Sequence, residues 1–314
     1  MLEKKTKTAG RPPKCMIRKI EDRQGILKAP FNKDNIFELT HNNPNMFKHI
    51  FEGSKKVSDV VKFIFSPEGV KMLFVNSSNL CTELVEIDGT RLVGYYCDRT
   101  YYYTCVTTTL NIVVGLKKCN FEYIRLFINK NNQFIMYLCF LQGYKSDGTA
   151  DIEESWDVQL ERCAAVDVAP LLAKYEVALT YPLIFTYKWS MLKDSVNSWK
   201  KLVAKNIIFS KDHDTPFTAS FQEDEIKHVT RINRENIIDL QFKSDFIVAV
   251  QIDLKSLLCM APSNDISDYI TMYLSPDMNQ DTIMFAKVDE AYENKKDAVP
   301  NTATTTVKYF IPKS

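Results

Sequence analysis

The hydrophobic period changes partway along the stretch from Phe47 to Asp98, and this change constrains the fold more than any other feature of the chain. Apolar residues first recur at helical spacing, with Lys48 and Glu52 on the opposite face. From Val61 to Phe65 the period falls to two, which predicts a strand. Residues Ser66–Gly69 predict a turn, since proline sets φ and glycine supplies a positive φ. The stretch therefore predicts one amphipathic helix, a strand, a turn and further strands.

The same pattern starts again at Tyr181, which indicates an internal duplication. A strand is predicted at Leu183–Tyr187, and apolar residues then recur at helical spacing from Trp189 to Val203. A second helix is predicted in each half, at Thr107–Cys119 and at Asp253–Met260. Each half is therefore expected to hold two helices among several strands.

The segments between these patterns carry three further predictions. Cys97–Val106 predicts a single strand, and residues 142–154 predict a polar, acidic loop before a strand at Ser155–Glu161. Arg162–Thr180 has modest apolar content and predicts a long connection between the two halves.

Five short motifs, in this order along the chain, resemble the proliferating cell nuclear antigen type of DNA sliding clamp. They are Phe37-Glu38, FKHIF, EGVKMLFVNSSNL, Tyr96-Cys97-Asp98-Arg99 and the terminal Val307–Lys313. The resemblance covers about residues 36–314. With the leading GRPPK and the GIL that follows it, the chain is most similar to the clamps of large cytoplasmic DNA viruses of the African swine fever type.

The resemblance implies an α+β chain with the DNA clamp fold. Each chain would have two similar domains, each with two helices packed on curved antiparallel sheets, and three chains would form a ring. The implied division is a basic arm at 1–35, a first domain at 36–161, a connector at 162–180 and a second domain at 181–314. The edge strand near Ser155–Glu161 would pair with the edge near Ile226–Thr230 of the next subunit.

The helices place lysines on the face away from the sheet, and in the clamp family these helices line a central hole. Positive charge there would attract duplex DNA without reading its sequence. Together with two residues of the arm, the expected DNA-binding set is Arg11, Lys14, Lys48, Lys55, Lys56, Lys117, Lys118, Lys193, Lys200, Lys201 and Lys255.

The family also binds short peptides of polymerases and other replication proteins, in a pocket under the connector and beside the last strand. Apolar anchors buried in such a groove supply the binding energy. The corresponding residues here are Asn79, Leu80, Val166, Val168, Leu171, Pro262, Phe310, Ile311 and Pro312. Asn79 stands where histidine is common in the family, which leaves the preferred peptide open.

Residues 1–33 hold ten lysines and arginines against three acids, and they predict a basic, flexible arm. Gly10–Lys14 resembles an AT-hook, in which an extended Gly-Arg-Pro lies in a narrow A·T minor groove. A solubilising or nuclear-import tail is the alternative interpretation.

The sequence offers no motif for catalysis or cofactor binding. Phosphate-binding loops and the GxSxG nucleophile motif are absent, and Asp212-His213-Asp214 is a weak metal candidate within a turn. The eight cysteines include no CxxC pair, which argues against zinc and for reduced thiols inside a cell. No secretory signal or membrane span is predicted, and no cofactor is expected.

The sequence thus predicts a non-enzymatic DNA polymerase processivity factor that encircles double-stranded DNA. It would reside in the host cytoplasm if viral and in the nucleus otherwise. The net charge of +1 then requires a basic inner surface to be balanced by an acidic outer one. Two alternatives remain: a transcription or architectural protein with the clamp fold that acts through its basic arm, and a hydrolase with an unrecognised site.

Overall fold

A computed structural model describes most of the chain beyond the arm. The described residues are 32–78, 80–115, 121–144, 150–176, 181–223, 225–243, 247–260, 267–276, 281–288 and 305–312. Within them lie the helices α1 (Pro44–Ser54), α2 (Thr107–Gly115), α3 (Ala169–Glu176), α4 (Trp189–Lys201) and α5 (Leu254–Met260).

The strands fall into three sheets, and every pairing is antiparallel. Their bounds are β1 (Asn35–His41), β2 (Val60–Ser66), β3 (Gly69–Val75), β4 (Thr82–Asp88), β5 (Gly94–Cys97), β6 (Tyr101–Val106), β7 (Tyr123–Asn129), β8 (Asn132–Tyr144), β9 (Ala150–Gln159), β10 (Glu161–Arg162), β11 (Leu183–Lys188), β12 (Asn206–Lys211), β13 (Thr218–Glu223), β14 (Ile226–Arg231), β15 (Ile237–Phe242), β16 (Val248–Asp253), β17 (Tyr269–Leu274), β18 (Thr282–Val288) and β19 (Thr305–Ile311). The five-stranded sheet has the order β5-β1-β7-β8-β9, and the four-stranded sheet has the order β14-β13-β12-β16. The ten-stranded sheet has the order β10-β6-β2-β3-β4-β19-β18-β17-β11-β15.

The ten-stranded sheet joins the beginning of the chain to its end. Strand β19 pairs with β4 from Thr305 opposite Ile87 to Phe310 opposite Thr82. This pairing of β4 with β19 is here called the seam. A hydrogen bond of 2.7 Å from the Ser256 hydroxyl of α5 to the Leu80 carbonyl adds a second link beside it. The two halves therefore share one continuous sheet.

The first helix forms where the periodicity of the sequence predicts it. Pro44 occupies the first turn, where its missing N–H costs nothing, and the Asn43 side chain accepts a hydrogen bond of 3.1 Å from the Met46 amide. The helix ends at Ser54, earlier than the apolar spacing up to Val57 suggests. Val57 is nevertheless buried, because the turn after the helix folds it back against the core.

The turn before β3 depends on its glycine. Gly69 has φ +155°, and a Cβ at this position would lie 2.1 Å from the Ile87 carbonyl oxygen. The predicted positive φ is confirmed, and close approach of β4 is a further reason that no side chain fits.

Two predicted segments differ from the structure. The single strand expected at Cys97–Val106 is two strands, because β5 pairs with β1 in the five-stranded sheet and β6 pairs with β2 in the ten-stranded sheet. The described residues of the loop expected at 142–154 are strand, since β8 and β9 continue their ladder at 142–144 and 150–154. Their backbone hydrogen bonds form whatever the side chains are, so polar residues do not end the strands.

The connection at Arg162–Thr180 also has more structure than its composition predicts. It holds β10, a short 3-10 turn at Ala165–Asp167 and the helix α3. Residues 177–180 lie outside the described part of the chain, as do the polar segment 289–304 and the arm up to residue 31. No helix in the described residues is long and apolar enough to cross a membrane.

Candidate nucleic-acid and partner interfaces

The helices on the main core pack in pairs, one pair in each half of the chain. Helix α1 contacts α2, and α4 contacts α5. Their buried residues, which include Phe47, Phe51, Leu192 and Trp199, belong to the main hydrophobic core. Their opposite faces are left for polar side chains, as amphipathic spacing requires.

Three expected DNA-binding lysines belong to α1 and the turn after it. Lys48 is half-buried and lies 3.9 Å from Glu52 one helical turn later. Lys55 and Lys56 follow the last helical residue and are exposed. Lys48 is therefore paired with an acid, whereas Lys55 and Lys56 lie just beyond the end of the helix.

Helices α4 and α5 carry the corresponding residues of the second half. Lys200 and Lys201 lie in the last turn of α4 and are exposed. Lys193 lies about two helical turns earlier and is half-buried. Lys255 is exposed at the start of α5. A cation in the last turn of a helix is favoured by the helix dipole, so Lys200 and Lys201 also stabilise the end of α4.

A charged side chain of the first half lies close to the second half. Burial raises the pKa of the Cys259 thiol on α5, and the cation of Lys56 acts in the opposite direction. Lys56 at the end of α1 therefore lies close to α5. Lys117, Lys118, Arg11 and Lys14 lie outside the described residues, so the structure does not place them.

The seam also buries a carboxyl group. Glu83 on β4 is fully buried and stands opposite Tyr309 of β19 in the ladder. Burial raises the pKa of Glu83 to about 8, and the neighbouring Ser54 and Tyr309 side chains oppose this only in part. The group is therefore mostly protonated at neutral pH, which lets it lie within an apolar core.

A separate apolar cluster, here called the outer cluster, lies on the other face of the ten-stranded sheet. It contains the buried residues Ile64, Leu73, Leu84, Val168 and Phe310, with Val75, Tyr102, Cys163, Leu171 and Leu172 packed against them. Side chains in β4 alternate, so that Val85 faces the main core while Leu84 faces the outer cluster. The cluster thus lies between the seam and the connector.

The connector covers this cluster with its own side chains. Val168 is fully buried there, Leu171 and Leu172 of α3 pack beside it, and the Lys62 ammonium donates to the Asp167 carbonyl at 3.3 Å. Val166 points away and is 73% exposed. The apolar surface that a peptide could use is therefore already in contact with α3.

The expected pocket residues do not all come together. Val168, Leu171 and Phe310 share the outer cluster, but Ile311 follows Phe310 by one position and its side chain belongs to the main core. Neighbouring strand residues face opposite sides, so Ile311 lies on the face of β19 opposite Phe310, and its place in a peptide pocket stays a prediction. The remaining members are dispersed: Leu80 and Pro312 are half-buried outside the cluster, and Asn79 and Pro262 lie outside the described residues.

Sequence reasoning missed Ile64, Leu73 and Leu84 as members of this surface. A signal for them exists, because each is an apolar residue at a position where the alternation of its strand calls for a polar one. Three adjacent strands with such residues indicate that the outer face of the sheet is covered as well.

Two strands end their sheets at open edges with opposite charge. In the described residues, β9 is the last strand of the five-stranded sheet, and β14 is the last strand of the four-stranded sheet. The sequence of β9 holds four acids, whereas β14 holds Lys227, His228 and Arg231. An unpaired edge is a template for another strand, and these two are complementary in charge.

Among the described residues, no group of three or more acidic, histidine or cysteine side chains is arranged to hold a metal ion. Asp212 instead accepts hydrogen bonds from the Asp214 and Thr215 amides at 3.0 and 2.8 Å, as in an ordinary turn. A hydrogen bond from the Thr215 side chain, together with these two backbone bonds, holds the pKa of Asp212 below its ordinary value. The three residues of this candidate therefore have a structural explanation.

The sequence matches no protein-family model and no curated protein. The structure is similar to the crystal structure of Proliferating Cellular Nuclear Antigen from Entamoeba histolytica, with a TM-score of 0.67 and 14% sequence identity. The similarity covers 89% of this chain and 99% of that chain. The chain therefore has the clamp fold that the motifs predict, with few helices packed on antiparallel sheets.

Proposed function

We propose that this chain is the subunit of a ring-shaped DNA sliding clamp that acts as a processivity factor for a DNA polymerase. The observation that carries the proposal is the clamp fold combined with exposed lysines on its paired helices. Lysines that contact phosphates attract any duplex, while a closed ring retains it without tight contacts. Such a protein needs no catalytic group and no cofactor.

The motif resemblance extends the proposal to the source of the chain. We propose that the chain is a clamp of the large cytoplasmic DNA viruses of the African swine fever type, which would place its work in the host cytoplasm. We propose two domains, at 36–161 and 181–314, linked by the connector at 162–180. The partner site is proposed on the outer cluster, where a replication protein's peptide would displace or lift α3.

The ring is proposed to be a homotrimer closed by β9 of one subunit and β14 of the next. A head-to-tail contact of this kind closes by rotation and hides both strand edges. The acids of β9 and the basic residues of β14 support this pairing.

The trimer proposal predicts that the double variant Lys227→Glu and Arg231→Glu is a folded monomer. Both side chains are exposed in the single chain, so the fold should persist, whereas like charges at the contact cost several kcal/mol. The mass in solution should fall from three times 36.3 kDa to that of one chain. The double variant Lys33→Glu and Lys243→Glu makes the same change in charge at other exposed sites and should remain a trimer. A trimeric Lys227→Glu/Arg231→Glu protein would contradict the proposed contact.

Topology is the test of the function itself. Protein assembled on nicked circular DNA should stay with the DNA at a salt concentration that disrupts simple charge contacts, and it should be lost when the circle is cut. A variant lacking residues 1–31 should behave in the same way. Loss of retention on deletion of the arm would instead support a DNA-binding architectural protein that acts through that arm.

A further inference from the structure

The end of α4 holds a valine in a backbone conformation that favours glycine. Val203 has φ +59°, whereas side chains branched at Cβ rarely adopt the left-handed region. It is the only residue other than glycine with a positive φ in the described part of the chain. Its conformation is therefore imposed by its surroundings.

Two backbone hydrogen bonds impose this conformation. The Val203 amide donates to the Lys200 carbonyl and the Ala204 amide donates to the Trp199 carbonyl, each at 3.1 Å. This is the pattern of a Schellman motif, whose left-handed position is usually glycine. Ala204 and Trp199 are both buried in the main core, so burial of these two residues holds the turn in place.

The strained valine is not compensated by packing within the chain. Its side chain is 74% exposed, and the neighbouring Leu202 is 39% exposed. A glycine would relieve the strain, and an asparagine would relieve it while keeping a side chain. Strain of this kind is typical of positions where the residue serves a contact made outside the folded chain.

The surroundings of this apolar pair are basic. Lys200 and Lys201 precede it and are exposed, and Lys205 follows it with a side chain that is 78% exposed. Lys205 lies 3.5 Å from Glu223, and Asp194 is the exposed acid of α4 two turns earlier. The segment Lys200–Lys205, here called the α4 tip, thus presents an apolar centre with a positive rim.

We propose that the α4 tip contacts the duplex directly, with Leu202 and Val203 packed against the sugar edges of the groove while the lysines bind the adjacent phosphates. This rests on the proposed clamp function and adds an apolar contact to it. Apolar side chains flanked by basic ones are a known arrangement for contact with the minor groove.

The residues of α4 indicate that the α4 tip does not bind a membrane surface. The apolar stripe of α4, which includes Trp189, Leu192 and Val196, is buried in the main core, so the exposed face has no stripe to insert into lipid. Lysines instead continue along α4 to Lys193 and onto α5 at Lys255. The lysines of α4 extend from Lys193 to Lys201, about 12 Å at 1.5 Å per residue, and such a row suits a line of phosphates.

The test compares Val203→Gly with the unchanged full-length protein. The variant should unfold about 2–4 °C higher, because the strain is relieved. It should bind a short duplex of mixed sequence about three- to tenfold more weakly, because the apolar contact is lost. Its dependence on salt should be unchanged, since no charge is altered. Val203→Asn should give the same pair of changes, and Val203→Ile should retain the affinity.

The two proposals fail in different ways. If the unchanged protein is not retained on circular DNA, the clamp proposal fails and this one fails with it. If it is retained but binds duplex independently of Lys200 and Lys201, the α4 tip does not face the duplex, and only this inference fails. If it binds through those lysines but Val203→Gly binds equally well, only the apolar contact is disproved. If Val203→Gly is no more stable than the parent, the strain that motivates the inference is absent.

Discussion

Replacing Glu83 with glutamine should abolish most of the loss of stability that the protein shows between pH 6.5 and pH 8. Burial raises the pKa of Glu83 to about 8 from an ordinary value of 4.5. Between these two values the folded chain keeps the proton that the unfolded chain releases, so stability falls as pH rises. The slope is about 1.4 kcal/mol per pH unit, and the whole span amounts to roughly 4–5 kcal/mol.

His41 has the opposite effect over a lower range, which defines where the Glu83 slope is visible. Burial lowers the pKa of His41 from 6.5 to about 4, so stability is present above pH 6.5 and is lost as pH falls toward 4. From pH 4.5 to 6.5 the two slopes cancel. Above pH 6.5 only Glu83 of these two groups contributes a slope, so the stability of the protein should decline as pH rises.

Urea unfolding at fixed chain concentration, measured at several pH values from 6 to 9, tests this prediction. Fixed concentration matters because association also contributes to apparent stability. Glu86 lies on the outer face of the same strand, where Lys71 is 3.5 Å and Lys308 is 2.5 Å away. Glu86→Gln should therefore lower stability slightly and keep the slope. A parent protein with constant stability from pH 6.5 to 8 would show that Glu83 is not buried in this form.

The second large effect concerns DNA. The double variant Lys200→Glu and Lys201→Glu should lower the affinity for duplex by about 100-fold or more near 0.1 M salt, because each lost phosphate contact removes a released counterion. In the proposed ring of three, the change would be repeated in every subunit. The slope of log affinity against log salt should become shallower by at least about one unit.

The same variant separates DNA contact from assembly. Neither lysine belongs to β9 or β14, so the mass in solution should remain that of a trimer. The Lys33→Glu/Lys243→Glu protein carries the same change in net charge and should keep both affinity and salt slope close to those of the parent. Equal salt slopes for the parent and the Lys200→Glu/Lys201→Glu protein would show that these side chains do not face the duplex.

The position of α3 has a consequence for partner binding. Val168 and Leu172 already occupy the apolar surface proposed for the partner peptide, so such a peptide would have to compete with the connector. The energy of removing these contacts reduces the net affinity. The connector is thus expected to discriminate in favour of peptides with large apolar anchors.

Much of the fold is predictable from the sequence because periodicity reports directly on burial. The first helix and the strands after it were predicted close to their observed bounds, since Phe47, Phe51 and Phe63 all face one core. The restart at Tyr181 likewise predicted β11 and α4. Segments where the chain changes sheets, as at Cys97–Val106, were predicted less well because a change of partner leaves no periodic signal.

The sequence by itself determined the helical and strand periods, the placement of Gly69 in its turn and the lysines on the polar faces of α1, α4 and α5. Only the tertiary structure decided that β19 completes the sheet of the first half, that Glu83 is buried at this seam and that Phe310 and Ile311 face opposite sides of it. It also decided that Val203 occupies a left-handed turn. The physical reason is that periodicity describes which residues of one element share a face, whereas burial of a given face depends on an element distant in the sequence.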